Sequence, residues 1–132
     1  MMQSIPAVKI LLVEDDPHLA PLIRLILLRI GAEAVEVAPT AAAAAALFAS
    51  FRPRLVIADQ NLPDEVGTAL ITRLRGQAEA LSLPVRFVLL SGTIDTATAQ
   101  AAKAARADAV LAKPVSPKLL AERLCVVLKS NP

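Results

Sequence analysis

Short apolar runs alternate along the chain with longer segments in which apolar residues recur every three or four positions. An apolar run bounded by polar residues predicts a strand buried on both faces, and the longer spacing predicts a helix. The alternation occurs five times. The predicted strands are 8–13, 33–37, 55–58, 85–90 and 109–112, and the predicted helices are about 19–30, 41–50, 66–77, 96–105 and 117 onward.

Five strand–helix units with strands that are apolar throughout predict an α/β fold, a parallel sheet covered by helices on both faces with right-handed crossovers. Pro21 falls inside the first helical pattern. Either this helix begins near His18, which puts Pro21 in its first turn, or the helix kinks at Pro21. Without an internal repeat or linker, we expect one domain over 1–132, with a core of about 7–129 and no output domain.

The composition of the chain argues against several classes of protein. The chain has 132 residues and 55% hydrophobic residues but only 2% aromatic ones, so we expect an ordered, aliphatic core. The formal net charge is +2, and the Lys and Arg residues are scattered, which argues against a nucleic-acid partner. The longest uncharged run, 37–51, is too short to span a membrane. Cys125 is the single cysteine, which excludes an internal disulfide and favours the cytoplasm.

Polar residues follow four of the five predicted strands. Glu14 and Asp15 follow the first, Asp59 the third, Ser91 the fourth and Lys113 the fifth. Because ligands of open parallel sheets bind beyond the carboxyl ends of the strands, we expect these side chains to converge. Clustered carboxylates suit Mg²⁺, and a metal with a lysine and a hydroxyl can hold a phosphoryl group. A carboxylate in such a site can act as a nucleophile and form an acyl phosphate.

The stretches "LLVEDDP", "LVIADQNLPDEVG", "LLSGT" and "VLAKPV" occur in that order. Together they closely resemble the receiver domain of bacterial two-component response regulators, over nearly the whole chain. The resemblance implies a flavodoxin-like, doubly wound (βα)₅ sheet with strand order 2-1-3-4-5. It also implies a signalling switch of the single-domain type.

The resemblance assigns roles at the site residue by residue. Asp59 matches the phosphoacceptor. Asp15 would bind Mg²⁺ directly, Glu14 would act through a water molecule, and the backbone carbonyl of Asn61 would add a further ligand.

The remaining site residues follow the fourth and fifth strands. Ser91 matches the hydroxyl residue that hydrogen-bonds the phosphoryl group and shifts on activation. Lys113 matches the lysine that pairs with the phosphoryl group, and the bond between Lys113 and Pro114 would be cis.

Val110 departs from the family pattern, in which this position is usually Tyr or Phe. In the family that ring moves inward when the hydroxyl residue shifts. Valine has few rotamers and little surface area that could move between a buried and an exposed state. The structural change that transmits phosphorylation to a binding surface must therefore differ from the ring movement of the family. The helix after Ser91, 96–107, offers mainly alanine to the core, and we expect it to be loosely held and to carry the signal by displacement.

Several acidic and sulfur-containing residues have simpler interpretations. We expect Asp16 to interact favourably with the first helix N-terminus. Asp64 and Glu65 are expected to be solvated loop acids or charges at a helix start. Cys125 is expected to be a packing residue.

The resemblance implies that a histidine kinase or a histidine phosphotransfer protein phosphorylates Asp59, after which the domain binds a partner protein. No small-molecule turnover and no membrane association are expected, and a homodimer is possible. Three alternatives stay open: a receiver detached from a hybrid-kinase phosphorelay, a constitutive pseudo-receiver scaffold and, less favoured, a Mg²⁺-dependent aspartyl phosphohydrolase. In the last class the nucleophile follows the first strand, where this chain has "VEDDP".

Overall fold

A computed structural model describes residues 3–129. Five strands and five helices alternate through these residues, as the apolar pattern predicts. The strands are β1 (Lys9–Val13), β2 (Ala34–Ala38), β3 (Leu55–Asp59), β4 (Arg86–Ser91) and β5 (Ala109–Ala112). The helices are α1 (Leu19–Arg29), α2 (Ala41–Phe51), α3 (Gly67–Ala80), α4 (Thr96–Ala104) and α5 (Pro117–Lys129).

The strands form one parallel sheet in the order β2-β1-β3-β4-β5. This order confirms the predicted doubly wound, flavodoxin-like fold. The central strand β3 is buried at all five positions, because helices cover both of its faces. No helix within residues 3–129 is both long and apolar enough to cross a membrane.

Alternate residues of each strand belong to two separate apolar cores. Ile10 and Leu12 of β1 pack with residues of α1 and α5, whereas Leu11 and Val13 pack with residues of α2, α3 and α4. Successive side chains of a strand point to opposite faces of the sheet, and this alternation produces the two cores. The helix α4 contributes little to its core, since Ala102 is its one buried residue.

Helix α1 begins at Leu19, so Pro21 lies in its first turn. The first-turn interpretation is therefore the one confirmed, because proline is tolerated where no intrahelical donor is needed. The Asp16 carboxylate accepts hydrogen bonds from the backbone N–H groups of His18 at 2.8 Å and Leu19 at 3.1 Å. These bonds lower the pKa of Asp16 and confirm its predicted role at the helix N-terminus.

The first turn of helix α2 is capped from two directions. Thr40 accepts a hydrogen bond from the N–H of Ala43 at 3.0 Å, as its position before the alanine run predicts. The Asp64 carboxylate, from the loop after β3, accepts from the N–H groups of Ala41 and Ala42, both at 2.9 Å. Asp64 is therefore the exposed loop acid that was predicted, and it also acts at a helix start. That helix is the distant α2, because the fold brings the loop after β3 against its first turn.

Candidate functional site

Three carboxylates meet at the carboxyl edge of the sheet. Glu14 and Asp15 directly follow β1, and Asp59 is the last residue of β3. Each offers an oxygen atom, and these oxygens lie within 4.8 Å of one another. The convergence follows from parallel pairing, because β1 and β3 run side by side in register up to Val13 and Ala58. Glu14 and Asp59 are buried, while Asp15 is exposed.

Lys113 brings a positive charge to the acidic cluster from the end of β5. Its Nζ lies 2.7 Å from Oε1 of Glu14 and 2.9 Å from Oδ2 of Asp59. Its side chain is 21% exposed, against 1% for Glu14 and 6% for Asp59. The peptide bond between Lys113 and Pro114 is cis. One ammonium group thus bridges two buried carboxylates, and three acids face a single lysine.

Burial and pairing shift the ionisation of this site in specific directions. Burial raises the pKa of Glu14, and the hydrogen bond from Lys113 offsets only part of that rise. Partial burial by itself would lower the pKa of Lys113, but its hydrogen bonds to Glu14 and Asp59 raise that pKa above its ordinary value. Lys113 is therefore a permanent cation at neutral pH, held between two acids.

Backbone amides orient the two buried carboxylates. The N–H of Asp16 donates to Oε2 of Glu14, and the N–H of Asn61 donates to Oδ1 of Asp59, both at 3.2 Å. Gly67 starts α3 directly beside the end of β3, where a Cβ atom would lie 2.3 Å from the carbonyl oxygen of Asp59. Only a residue without a side chain lets α3 approach this closely.

Ser91 lies at the same edge, but its hydroxyl is engaged within its own loop. The hydroxyl donates to the carbonyl of Thr93 at 2.6 Å and accepts from the N–H of Thr93 at 3.3 Å. Ser91 is buried, whereas residues 92–97 are exposed. In this conformation the hydroxyl makes no hydrogen bond to the acidic cluster. Ser91 and Lys113 are nevertheless tied together, because the N–H of Lys113 donates to the Ser91 carbonyl at 2.9 Å.

Val110 is half-buried in β5, opposite Leu89 of β4. It packs against the core on the α2, α3 and α4 side of the sheet. No aromatic ring occupies this position. A movement of the β4–α4 loop could therefore displace only the short, stiff valine side chain here.

The donor set fits a divalent hard cation. Carboxylate oxygens are the ligands that Mg²⁺ prefers, and a binding mode of one or two carboxylates with retained waters suits a site with one exposed and two buried acids. Three carboxylates against one ammonium also leave an excess of negative charge. The cluster is therefore compatible with Mg²⁺ and with phosphorylation of a carboxylate.

Comparison with known proteins agrees with this geometry. The sequence profile described as the response regulator receiver domain matches residues 10–125. The chain belongs to this family. Receiver domains are signalling modules that interact with histidine kinases or phosphotransfer proteins and with downstream effectors. This class is distinct from enzymes that turn over small molecules.

Two curated relatives cover most of this receiver domain. The chain is 34% identical over 116 residues to an uncharacterised 14.6 kDa protein of Leptolyngbya boryana, with 88% of this chain and 86% of that protein aligned. It is 29% identical over 124 residues to the chemotaxis protein CheY1 of Helicobacter pylori, with 93% and 98% aligned. The two alignments cover most of the length of both relatives.

Solved structures share the whole fold. The chemotaxis protein CheY4 of Vibrio cholerae superposes with a TM-score of 0.84 at 27% identity, covering 93% of this chain and all of that one. A response regulator of Chloroflexus aurantiacus gives 0.84 at 28% identity, covering 95% and 100%. The receiver domain of RstA from Klebsiella pneumoniae, in a structure described as BeF₃-activated, gives 0.80 at 30% identity, covering 92% and 99%.

The structure brings together the acids and the lysine that the strand ends predict, but it adds two contacts that the sequence did not reveal. The first is the direct ion pair between Glu14 and Lys113, which are 99 residues apart. The second is the turn that holds the Ser91 hydroxyl to Thr93. The order of the strands around the edge could have suggested the first contact, whereas the second depends on loop conformation.

Proposed function

We propose that this receiver domain is a phosphorylation-driven switch in which Asp59 accepts a phosphoryl group from a histidine kinase or a histidine phosphotransfer protein. One observation carries the proposal: Lys113 contacts Asp59 while two further carboxylates lie within 4.8 Å of the acceptor. A nucleophile, a cation to pair with the phosphoryl oxygens and a metal-binding pair are thereby available at one edge of the sheet.

In the transfer step, a carboxylate oxygen of Asp59 attacks the phosphorus atom. The bond between phosphorus and the donor's histidine nitrogen breaks, and its electron pair stays on that nitrogen. The burial of Asp59 limits the access of water, and the Asn61 N–H and Lys113 hold the carboxylate in place. Lys113 would then pair with the phosphoryl oxygens, which favours the product electrostatically.

Mg²⁺ would be held by Asp15 and Asp59, with Glu14 acting through water and the Asn61 carbonyl as an additional ligand. When bound, it supplies positive charge next to the phosphoryl oxygens. Lys113 is already positioned next to Asp59 before phosphorylation, because its ion pair with Glu14 holds it there. With that charge at the acids, Glu14 would hold Lys113 less tightly, and the Lys113 ammonium would become available to the phosphoryl group.

The switch itself would start at Ser91. A phosphoryl oxygen on Asp59 would offer the Ser91 hydroxyl an anionic acceptor in place of the Thr93 carbonyl. Hydrogen bonds to a charged acceptor are stronger than those to a neutral carbonyl. Losing the Thr93 contact releases the loop before α4, a helix that buries only Ala102. Displacement of α4, with Val110 as a minor participant, would expose the surface that binds a downstream partner protein.

Hydrogen exchange tests this readout separately from the chemistry. Amide protection in α4 is expected to change when the domain binds beryllofluoride with Mg²⁺, and protection in α1 to stay the same. Equal protection of α4 in both states would show that the signal leaves through another element.

Intact mass spectrometry tests the chemistry. After incubation with Mg²⁺ and acetyl phosphate, the parent protein is expected to gain one phosphoryl group, and Asp59→Asn none. EDTA is expected to abolish the gain. Labelling of Asp59→Asn to the same extent would remove Asp59 as the acceptor, and no labelling with any donor would favour a constitutive binding scaffold.

The proposal places the domain in a reducing compartment such as the cytoplasm. Cys125 is a buried free thiol whose Sγ–H donates to the carbonyl of Ser4 at 3.0 Å, with which such a compartment is compatible. It also packs in the core between the sheet, α1 and α5.

A further inference from the structure

A cavity of about 190 Å³ opens at the opposite edge of the sheet, where strands β3 and β4 begin. This edge is the one farthest along the strands from Asp59 and Ser91, so the cavity is separate from the acidic cluster. Three arginines and a short apolar segment line it. They are Arg54, Arg75 and Arg86 with Leu83, Pro84 and Val85.

The fold itself sets the three arginines around one space. Arg54 directly precedes β3 and Arg86 begins β4, and the N–H of Arg86 donates to the carbonyl of Arg54 at 2.9 Å. Arg75 reaches the same place from α3, with its guanidinium 4.8 Å from the centre of the Phe87 ring. The side chains of Arg75 and Arg86 are only 18% and 13% exposed.

Among residues 3–129, positively charged side chains outnumber negatively charged ones around this cavity. The Asp108 carboxylate lies 3.2 Å from Arg75 and 3.7 Å from Arg86, and it also accepts the N–H of Phe87 at 2.7 Å. The Arg54 side chain forms no hydrogen bond or ion pair with any residue between 3 and 129. Nε of Arg75 is buried without an acceptor in the same part of the chain. Among residues 3–129, Asp108 is thus shared by Arg75 and Arg86, and the Arg54 guanidinium has no counterion.

We propose that this arginine cavity binds a small oxyanion of the phosphate class. Guanidinium groups present paired N–H donors that match phosphate oxygens, and partly buried ones bind more strongly because water competes less. The volume lies below the roughly 300–1,000 Å³ of sites for drug-sized ligands, which favours an ion or a very small phosphomonoester over a nucleotide. An anion there would provide a counterion for Arg54, which has none among residues 3–129.

An NMR titration with inorganic phosphate, in buffer without Mg²⁺ and at constant ionic strength, tests the site. Saturable shifts are expected at the backbone N–H groups of Leu83, Val85 and Arg86 and at the side-chain Nε–H of Arg75. The same titration with chloride is expected to give no saturation. Shifts that spread evenly over exposed Lys and Arg residues, or none at all, would overturn the proposal.

A matched pair of substitutions separates the site from general charge effects. Arg54→Gln removes a guanidinium of the cavity that forms no hydrogen bond or ion pair within the described chain, so we expect the variant to fold. It is expected to weaken phosphate binding about tenfold, the loss of one charge-assisted contact. Arg123→Gln removes the same charge from an exposed position on α5 and is expected to leave binding unchanged. Equal weakening by both variants would contradict a built site.

Free phosphate and the phosphate group of a small metabolite share this chemistry. Repeating the titration with glycerol 3-phosphate distinguishes them. Tighter binding of the ester, with larger shifts at the N–H groups of Leu83 and Val85, would assign the cavity to a phosphomonoester. Tighter binding of inorganic phosphate would assign it to the free ion.

Discussion

The two edges of the sheet carry opposite charge patterns built on the same strands. At the carboxyl edge, Glu14, Asp15 and Asp59 surround the single cation Lys113. At the amino edge, three arginines surround a cavity near Asp108, the one acid paired with them among residues 3–129. Within these residues, one counterion serves two partners at each edge. The charge that remains is negative at the edge proposed to bind a metal and a phosphoryl group, and positive at the edge proposed to bind an anion.

The difference between the edges lies in how the majority charges are held. Glu14 and Asp59 are fixed by backbone N–H groups as well as by Lys113, which suits a site where atoms must react. At the arginine cavity, Arg54 is unrestrained by any side-chain partner within residues 3–129. A pre-organised edge suits chemistry, and a less restrained edge suits reversible binding.

Removing the exposed acid of the cluster should have the largest effect. Asp15→Asn is expected to slow Mg²⁺-dependent phosphorylation by acetyl phosphate at least about 100-fold, because the proposed metal site would lose a direct ligand. The matched control is Asp16→Asn, which removes the same charge one residue later, outside the cluster. Intact-mass time courses measure both. Comparable rates for the two variants would show that edge charge alone, without a metal site, governs the reaction.

Removing the single cation of the carboxyl edge should come next. Lys113→Met is expected to slow phosphorylation by roughly 100-fold, because no fixed cation remains to pair with the phosphoryl oxygens. Lys118→Met, at an exposed position on α5, is the control and should react like the parent. The account fails here if Lys113→Met accepts the phosphoryl group at the parental rate.

Two glycines of α3 test how tightly that helix is packed at the carboxyl edge. Gly67→Ala places a Cβ against the Asp59 carbonyl and is expected to lower the free energy of unfolding by about 1–3 kcal/mol. At Gly76 a Cβ meets nothing within 4 Å, so Gly76→Ala should raise it by about 0.5–1 kcal/mol through helix propensity. Urea unfolding at neutral pH measures both. Changes of the same sign would contradict the packing described.

The smallest effect is expected from an acid of this edge that lies outside the cluster. Hydrogen bonds from Ala41 and Ala42 lower the pKa of Asp64 below its ordinary value. Its stabilisation is therefore present above the unfolded-state pKa, about 3.9, and is lost as pH falls through the folded-state pKa. Asp64→Ala should have a lower urea midpoint than the parent at pH 7, and the difference should shrink below about pH 4.

Glu122→Ala, an exposed acid on α5 with no side-chain hydrogen bond in the described chain, is the control for this pH series. Its midpoint should follow that of the parent. A deficit of Asp64→Ala that is constant from pH 7 to acid conditions would mean that the ionised carboxylate does not cap α2.

The apolar pattern predicted every strand and helix because period two and period 3.6 are local properties of the sequence. The ends were less predictable: β4 begins at Arg86 and includes Ser91, and α3 extends to Ala80, since polar residues continue these elements where packing allows. Strand order came from the resemblance to the family, because pairing between distant segments leaves no local signal.

The two edges differ in predictability in the same way. Glu14, Asp59 and Lys113 follow apolar strands directly, so parallel topology alone brings them together. Arg54, Arg75 and Arg86 look scattered in the sequence, and their common cavity depends on an α3 side chain reaching the start of two strands. The Asp64 cap and the Ser91 turn likewise depend on loop conformation, which composition does not specify.

The most direct test of the account is to trap the modified residue. The domain is incubated with Mg²⁺ and acetyl phosphate and reduced with borohydride, which converts an aspartyl phosphate to homoserine, and its peptides are sequenced by tandem mass spectrometry. The account predicts homoserine at position 59 alone, and none when EDTA is present from the start. Homoserine at Asp15 instead, or at no acid despite added Mg²⁺, would contradict the claim that Asp59 is the phosphoacceptor.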